Sequence, residues 1–109
     1  MRRALLASAC LALSTFPAFA QDVVLGAVLP LSGASATIGD DQRRGIELAV
    51  EQINEKGGVL GGRKLRVIVE DSGGRAPSAL DAAKKLVTVD NVPVVIGEYS
   101  SGITIPVGQ

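Results

Sequence analysis

The stretch DVVLGAVLPLSG, residues 22–33, decides the architecture of this chain. Its first eight residues, 22–29, are almost all β-branched or aliphatic. They lack the polar–apolar alternation of a strand with one wet face. Such a run predicts a strand buried on both faces, the condition of a parallel sheet covered by helices. Pro30, Ser32 and Gly33 then signal a turn, opening a loop that extends to Gly39.

The same logic reads outward along the chain. Residues 40–56 predict a helix, with Ile46, Ala49, Val50 and Ile53 spaced as one apolar stripe. Asp40 and Asp41 suit the positive end of its dipole, and Gly57-Gly58 suits a left-handed cap at the other end. Gly45 costs this helix up to about 1 kcal/mol relative to alanine, and a residue so small leaves room for a neighbouring element. LRVIVE at 65–70 predicts the second strand, with an exit loop over 71–75. A second helix follows over about 77–89, with Pro77 at its first position and Leu80, Ala83 and Val87 as its stripe. VPVVIG at 92–97 predicts the third strand, and the loop 98–102 leads into a third helix. The order β-α-β-α-β-(α) implies an α/β fold, part of a doubly wound parallel sheet with right-handed crossovers.

The amino terminus has a different grammar. Arg2 and Arg3 precede a low-polarity run over residues 4–13. Ser14, Thr15 and Pro17 break it, and Ala18-Phe19-Ala20 has the small-x-small form of a cleavage point. This predicts a signal peptide over residues 1–20, with the mature chain starting at Gln21. The run is about half of the roughly 20 apolar residues a membrane span needs. Cys10 lacks the aliphatic residue three places upstream that lipoprotein processing uses, so no lipid anchor is expected there. The carboxyl end, Val107-Gly108-Gln109, falls within a predicted helix start, so residues 21–109 read as a truncated portion of something longer.

Composition excludes several function classes. The whole chain carries 11 basic and 11 acidic residues; without Arg2 and Arg3 the balance is 9 against 11, a net charge of −2. With no basic stripe, one tyrosine and no tryptophan, nucleic acid is not an expected partner. The residues after position 20 include no cysteine and no histidine, which removes disulfides, thiolate nucleophiles, imidazole bases and Cys/His metal sites. Catalysis is therefore not expected. A chain of this size buries only about 60–65% of its unfolded surface, so its stability is marginal.

Ligands of open parallel sheets bind outside the carboxyl ends of the strands. Three loops qualify: 30–39, 71–75 and 98–102. Ser100 and Ser101, with Tyr99 beside them, lie between the third strand and third helix, where hydroxyls and N–H groups can receive a carboxylate. A serine there serves equally well as a helix N-cap. Glycines at 57, 58, 61 and 62 lack the following Lys-Ser/Thr of a phosphate loop and stand between a helix and a strand, the wrong context. The acidic pairs Asp40-Asp41 and Glu70-Asp71 read as solvated charge and capping rather than metal ligands, and no cofactor is expected. A Rossmann-like nucleotide enzyme would need G-x-G-x-x-G after the first strand, where Pro30-Leu31-Ser32-Gly33 stands instead.

Several segments together resemble the periplasmic substrate-binding proteins of branched-chain amino acid ABC transporters. These are GAVLPLSG at 26–33 with Gly39, GIELAV at 45–50, INEKGGVLGGRKL at 53–65, Glu70-Asp71, AAKKLV at 82–87, VIG at 95–97, and Ser100-Ser101-Gly102. The resemblance covers nearly all of residues 22–106. It implies the first portion of the N-terminal lobe of a type I periplasmic binding protein. In such a protein, two lobes close on a ligand by a hinge motion. It further implies that Ser101 hydrogen-bonds a ligand carboxylate, and that Ile38 occupies a ligand-contact position often held by an aromatic residue. Gly73 and Ser100 stand near where some members carry a disulfide, so that bridge is absent. The implied partners are a small amino acid or related carboxylate and an inner-membrane ABC permease, with the protein a monomer. An amide- or urea-binding protein, or a ligand sensor on the same fold, remains an alternative because Ile38 does not settle the ligand.

Overall fold

A computed structural model describes residues 20–109. The expected leader, including Cys10, lies outside the described residues up to residue 19. The elements are β1 (Val23–Leu29), α1 (Ala36–Glu55), β2 (Leu65–Asp71), α2 (Ala76–Thr88), β3 (Val95–Ile96) and α3 (Ser101–Val107). All strands are parallel, in the order β2-β1-β3. β1 pairs with β2 from Val23 opposite Leu65 to Leu29 opposite Asp71, and with β3 at Gly26 and Ala27.

The central place of β1 explains its two-faced apolarity. Ala27, Val28 and Leu29 are at most 1% exposed. The chain steps from β1 to β2 on one side, then crosses back to β3 on the other. With right-handed crossovers, this reversal puts α1 and α2 on opposite faces. Accordingly, among the described residues α1 packs on β1 and β2 and on no other helix, whereas α2 lies over all three strands and against α3. The main core forms on the α2 face from Val28, Ala79, Ala82, Ala83, Leu86 and Val92.

Three expectations are corrected. First, the loop after β1 is shorter than expected, because α1 begins at Ala36 and includes Ile38 and Gly39. Gly39 does not close a loop; it lets the first turn of α1 rest on the main chain of Pro30. A Cβ at Gly39 would stand 2.1 Å from the Pro30 carbonyl oxygen. Asp40 and Asp41 therefore lie a turn inside α1 and not at its start. Second, α2 buries Ala79, Ala82, Ala83 and Leu86, a stripe rotated from Leu80, Ala83 and Val87. Val87 is left 52% exposed. Third, β3 has two residues rather than six. Pro93 has no N–H for a ladder, and Val92 turns into the core at 6% exposure.

The junction between α1 and β2 matches the expected left-handed stop. Gly58 has φ of 79° and donates its N–H to the Ile53 carbonyl over 2.9 Å, closing the helix end. Asn54 then fixes the start of β2 from the side. Its amide nitrogen donates to the Leu65 carbonyl at 2.9 Å, and its oxygen accepts the Leu65 N–H at 2.8 Å. One side chain thus satisfies both backbone groups of Leu65.

Candidate functional site

The parallel sheet brings the exits of β1, β2 and β3 to one edge, and the strand order reverses there between β1 and β3. That is where crevices form in open α/β sheets. Tyr99, Ser100 and Ser101 stand together at the exit of β3. Tyr99 is 55% exposed, Ser100 occupies the N-cap position of α3, and Ser101 is the first residue of that helix. The Ser100 side chain makes no capping hydrogen bond. Its carbonyl accepts the N–H groups of Ile103 and Thr104 at 3.0 and 2.9 Å, which starts the helix. Ile38 is separate from this group. It lies on the first turn of α1, on the β1 side of the edge, and is 37% exposed.

The loops of this edge are tied to one another by two carboxylates. Asp71, the last residue of β2, is the hub of the first tie. Its Oδ1 accepts the N–H groups of Leu31 at 2.9 Å, Ser32 at 3.2 Å and Gly73 at 2.7 Å. The exit of β1 is thereby held to the exit of β2. Glu98 is the hub of the second tie. Its Oε1 accepts the Ser72 hydroxyl at 2.6 Å, and its Oε2 accepts the Ser100 N–H at 2.8 Å. Glu98 is not recognisable from the sequence, because an isolated carboxylate after a strand reads as solvated. Its partner Ser72 lies 26 residues earlier.

The acidic pairs have other employment than metal binding. Asp40 forms ion pairs with Arg43 at 2.6 Å and Arg44 at 2.8 Å. The Arg43 side chain, hydrogen-bonded to Asp40, holds that carboxyl below its usual pKa. Glu70 pairs with Lys85. Among the described residues, no group of three or more His, Cys, Asp or Glu is placed to hold a metal ion. Nor is any helix among them long and apolar enough to cross a membrane.

Asp71 makes the edge sensitive to acid. The Ser32 side chain beside it holds its pKa below the usual 3.8, with the Gly73, Leu31 and Ser32 N–H groups adding to the effect and partial burial opposing it. A carboxyl depressed in the folded state contributes stability above its unfolded value, and that contribution is lost as pH falls through the folded value. The stability advantage of the parent over Asp71→Asn should therefore be level above about pH 5. It should shrink once the pH drops below 3.8. Chemical denaturation across this range measures it, and a pH-independent difference would mean the charge of Asp71 plays no part.

The edge is open, with Tyr99 55% and Ile38 37% exposed. Elsewhere, a hollow of about 330 Å³ lies at the amino ends of the strands, lined in part by Asp22, Leu60, Arg63 and Asn91. Another, of about 270 Å³, lies between α2 and α3. Neither is lined by Ile38, Tyr99, Ser100 or Ser101. Convergent polar loops on one open side suit a ligand that is covered from the opposite side.

Comparison with known proteins agrees with this geometry. A family model described as periplasmic binding protein matches residues 22–109. The chain is similar to the Leu/Ile/Val-binding protein homolog 7 of Brucella abortus, 40% identical over 88 residues, covering 81% of this chain and 22% of the relative. It is 38% identical to the Leu/Ile/Val-binding protein BraC3 of Rhizobium johnstonii, over 81% of this chain and 23% of the relative. Among solved structures, it is similar to the branched-chain amino acid transporter substrate-binding protein LivJ of Streptococcus pneumoniae in complex with isoleucine. The TM-score is 0.74 at 30% identity, over 79% of this chain and 24% of that one. The chain thus spans less than a quarter of the length of the curated relatives it matches.

Proposed function

The chain belongs to the periplasmic binding protein family, and from that membership we propose that it supplies one wall of a cleft that captures an amino acid for ABC-type import. The observation that carries the reading is the match of residues 22–109 to relatives named for leucine, isoleucine and valine. The proposed ligand-facing residues are Ser100 and Ser101, with Tyr99 beside them and Ile38 across from them. Ser101 is the proposed carboxylate contact. Supporting this, the β3 exit offers hydroxyls and N–H groups at the point where strand order reverses. The role is binding without catalysis, consistent with a sequence that has no cysteine or histidine after position 20. We further propose export through cleavage after Ala20, a periplasmic location, a monomeric state and delivery to an inner-membrane permease.

Titration calorimetry with leucine, isoleucine and valine, and with amides and urea as contrasts, tests the ligand class. The wall alone should bind weakly or not at all, because enclosure from two sides supplies most of the affinity of such clefts. Sub-millimolar binding by residues 21–109 would contradict a two-sided site. In the gene product extended to the length of the relatives, Ser101→Ala should weaken binding at least several-fold. A neutral hydrogen bond is worth about 0.5–1.5 kcal/mol, and one to a charged group about 1.5–3 kcal/mol. Unchanged affinity would move the carboxylate contact to another residue. Heat with amides or urea but with no amino acid would replace the amino-acid reading.

A further inference from the structure

Glu98 is the only buried charged residue among the described residues, at 9% exposure, and it is buried without a cation. Taking a carboxylate out of water costs several kcal/mol unless its oxygens find donors. Both oxygens here are met by neutral ones, the Ser72 hydroxyl and the Ser100 N–H. The Ser72 oxygen accepts the Gly74 N–H at 3.1 Å, so its single proton is committed to Glu98. The Glu98 carbonyl accepts the Thr104 hydroxyl at 2.8 Å, which ties the same residue to the second turn of α3. A leucine would fill this volume without the desolvation cost. The carboxylate does what a leucine cannot: it joins the exit of β2 to the exit of β3.

We propose that Glu98 is a positioning residue, a buried brace whose carboxylate fixes the main chain presenting Ser100 and Ser101. The brace itself is a property of this fold; its relevance to ligand rests on the binding role proposed above for those serines. It sets the loop geometry from behind and does not touch the ligand. Without it, the Ser100 N–H loses its acceptor, Ser72 is buried with an unsatisfied proton, and the loop leading into α3 is released from β2.

Amide hydrogen exchange on the whole chain tests the brace without any ligand. The Ser100 amide is compared with the Ala27 amide at the centre of β1. In Glu98→Ala, exchange at Ser100 should rise roughly tenfold or more, the size expected for losing one hydrogen bond to a charged group, with Ala27 unchanged. Glu98→Gln should restore most of the protection. Its amide oxygen can accept the Ser100 N–H, and its amide nitrogen can donate to the Ser72 oxygen, although the Ser72 proton then loses its acceptor, so the rescue falls short of the parent. Equal Ser100 exchange in the parent and Glu98→Ala would overturn the proposal, as would Glu98→Gln exchanging as fast as Glu98→Ala. If Glu98→Ala loses protection at Ala27 as well, Ser72→Ala decides: faster exchange at Ser100 alone supports the brace, and no change overturns it. The same variants, placed in the extended protein and titrated with leucine, should show weaker binding for Glu98→Ala and recovery for Glu98→Gln. Failure of leucine to bind the parent would remove the ligand reading and leave the exchange result standing.

Discussion

Gly39→Ala should destabilise the chain by about 3 kcal/mol, lowering its Tm by about 12–24 °C. The added methyl would stand 2.1 Å from the carbonyl oxygen of Pro30 and 2.6 Å from its carbonyl carbon. Both atoms belong to a main chain with little room to yield: Pro30 is fully buried, and the next residue, Leu31, is held by Asp71. No rotamer change can relieve a clash between a Cβ and a backbone. Alanine's better helix propensity offsets up to about 1 kcal/mol, so the clash wins. Gly45→Ala, six residues further along the same helix, is the control. A Cβ there meets nothing within 4 Å. That substitution should stabilise the chain by about 0.8–1 kcal/mol. Thermal melts followed by circular dichroism measure both. Equal shifts of the same sign would mean that the approach of α1 to Pro30 is not what demands a glycine.

The second large effect is expected at Leu86, which is wholly buried in the α2 core. Leu86→Ala removes packing from the middle of that cluster and should cost about 2–5 kcal/mol. In a chain whose total stability is expected at the low end of about 5–15 kcal/mol, this approaches complete unfolding. The partner of Leu86 across the sheet interface is the bare backbone of Gly26. A Cβ at Gly26 would lie 2.9 Å from one Leu86 methyl and 3.1 Å from a Val92 methyl. Gly26→Ala alone should therefore cost about 1–3 kcal/mol through overcrowding. Combined with Leu86→Ala, the new methyl moves into the vacated space. The double variant should be more stable than the sum of the two losses predicts, by about 1 kcal/mol. Urea denaturation of the four proteins measures the coupling, and strict additivity would show that the two positions do not share one space.

These two glycines mark how far the sequence could be read. The alternation of strands and helices was legible, because DVVLGAVL and LRVIVE are apolar runs of strand length separated by one helical stripe. The start of α1 was not, since Gly39 reads as a breaker until the Pro30 carbonyl is seen beneath it. The buried stripe of α2 lies one position from the one its larger residues suggest, because alanine carries little hydrophobic weight. Leu80 and Val87 outweigh Ala79 and Ala82 on paper, yet the smaller residues allow the closer approach to the sheet. Tyr99, Ser100 and Ser101 could be located from strand order alone. Glu98 could not, because its burial depends on Ser72 arriving from a different strand exit.

Asn54 has a consequence for how such a sheet can be extended. β2 and β3 are both outer strands, but they are not equivalent invitations to a further strand. At the first residue of β2, both main-chain groups of Leu65 are already occupied by the Asn54 amide. A strand arriving on that flank would have to displace a side chain held by two hydrogen bonds and anchored in α1. No corresponding side-chain plug guards Val95 or Ile96 among the described residues. The two outer strands therefore differ at their starts: the outward backbone groups of Leu65 are taken by Asn54, so a strand joining beside β2 has to pair from beyond its first residue.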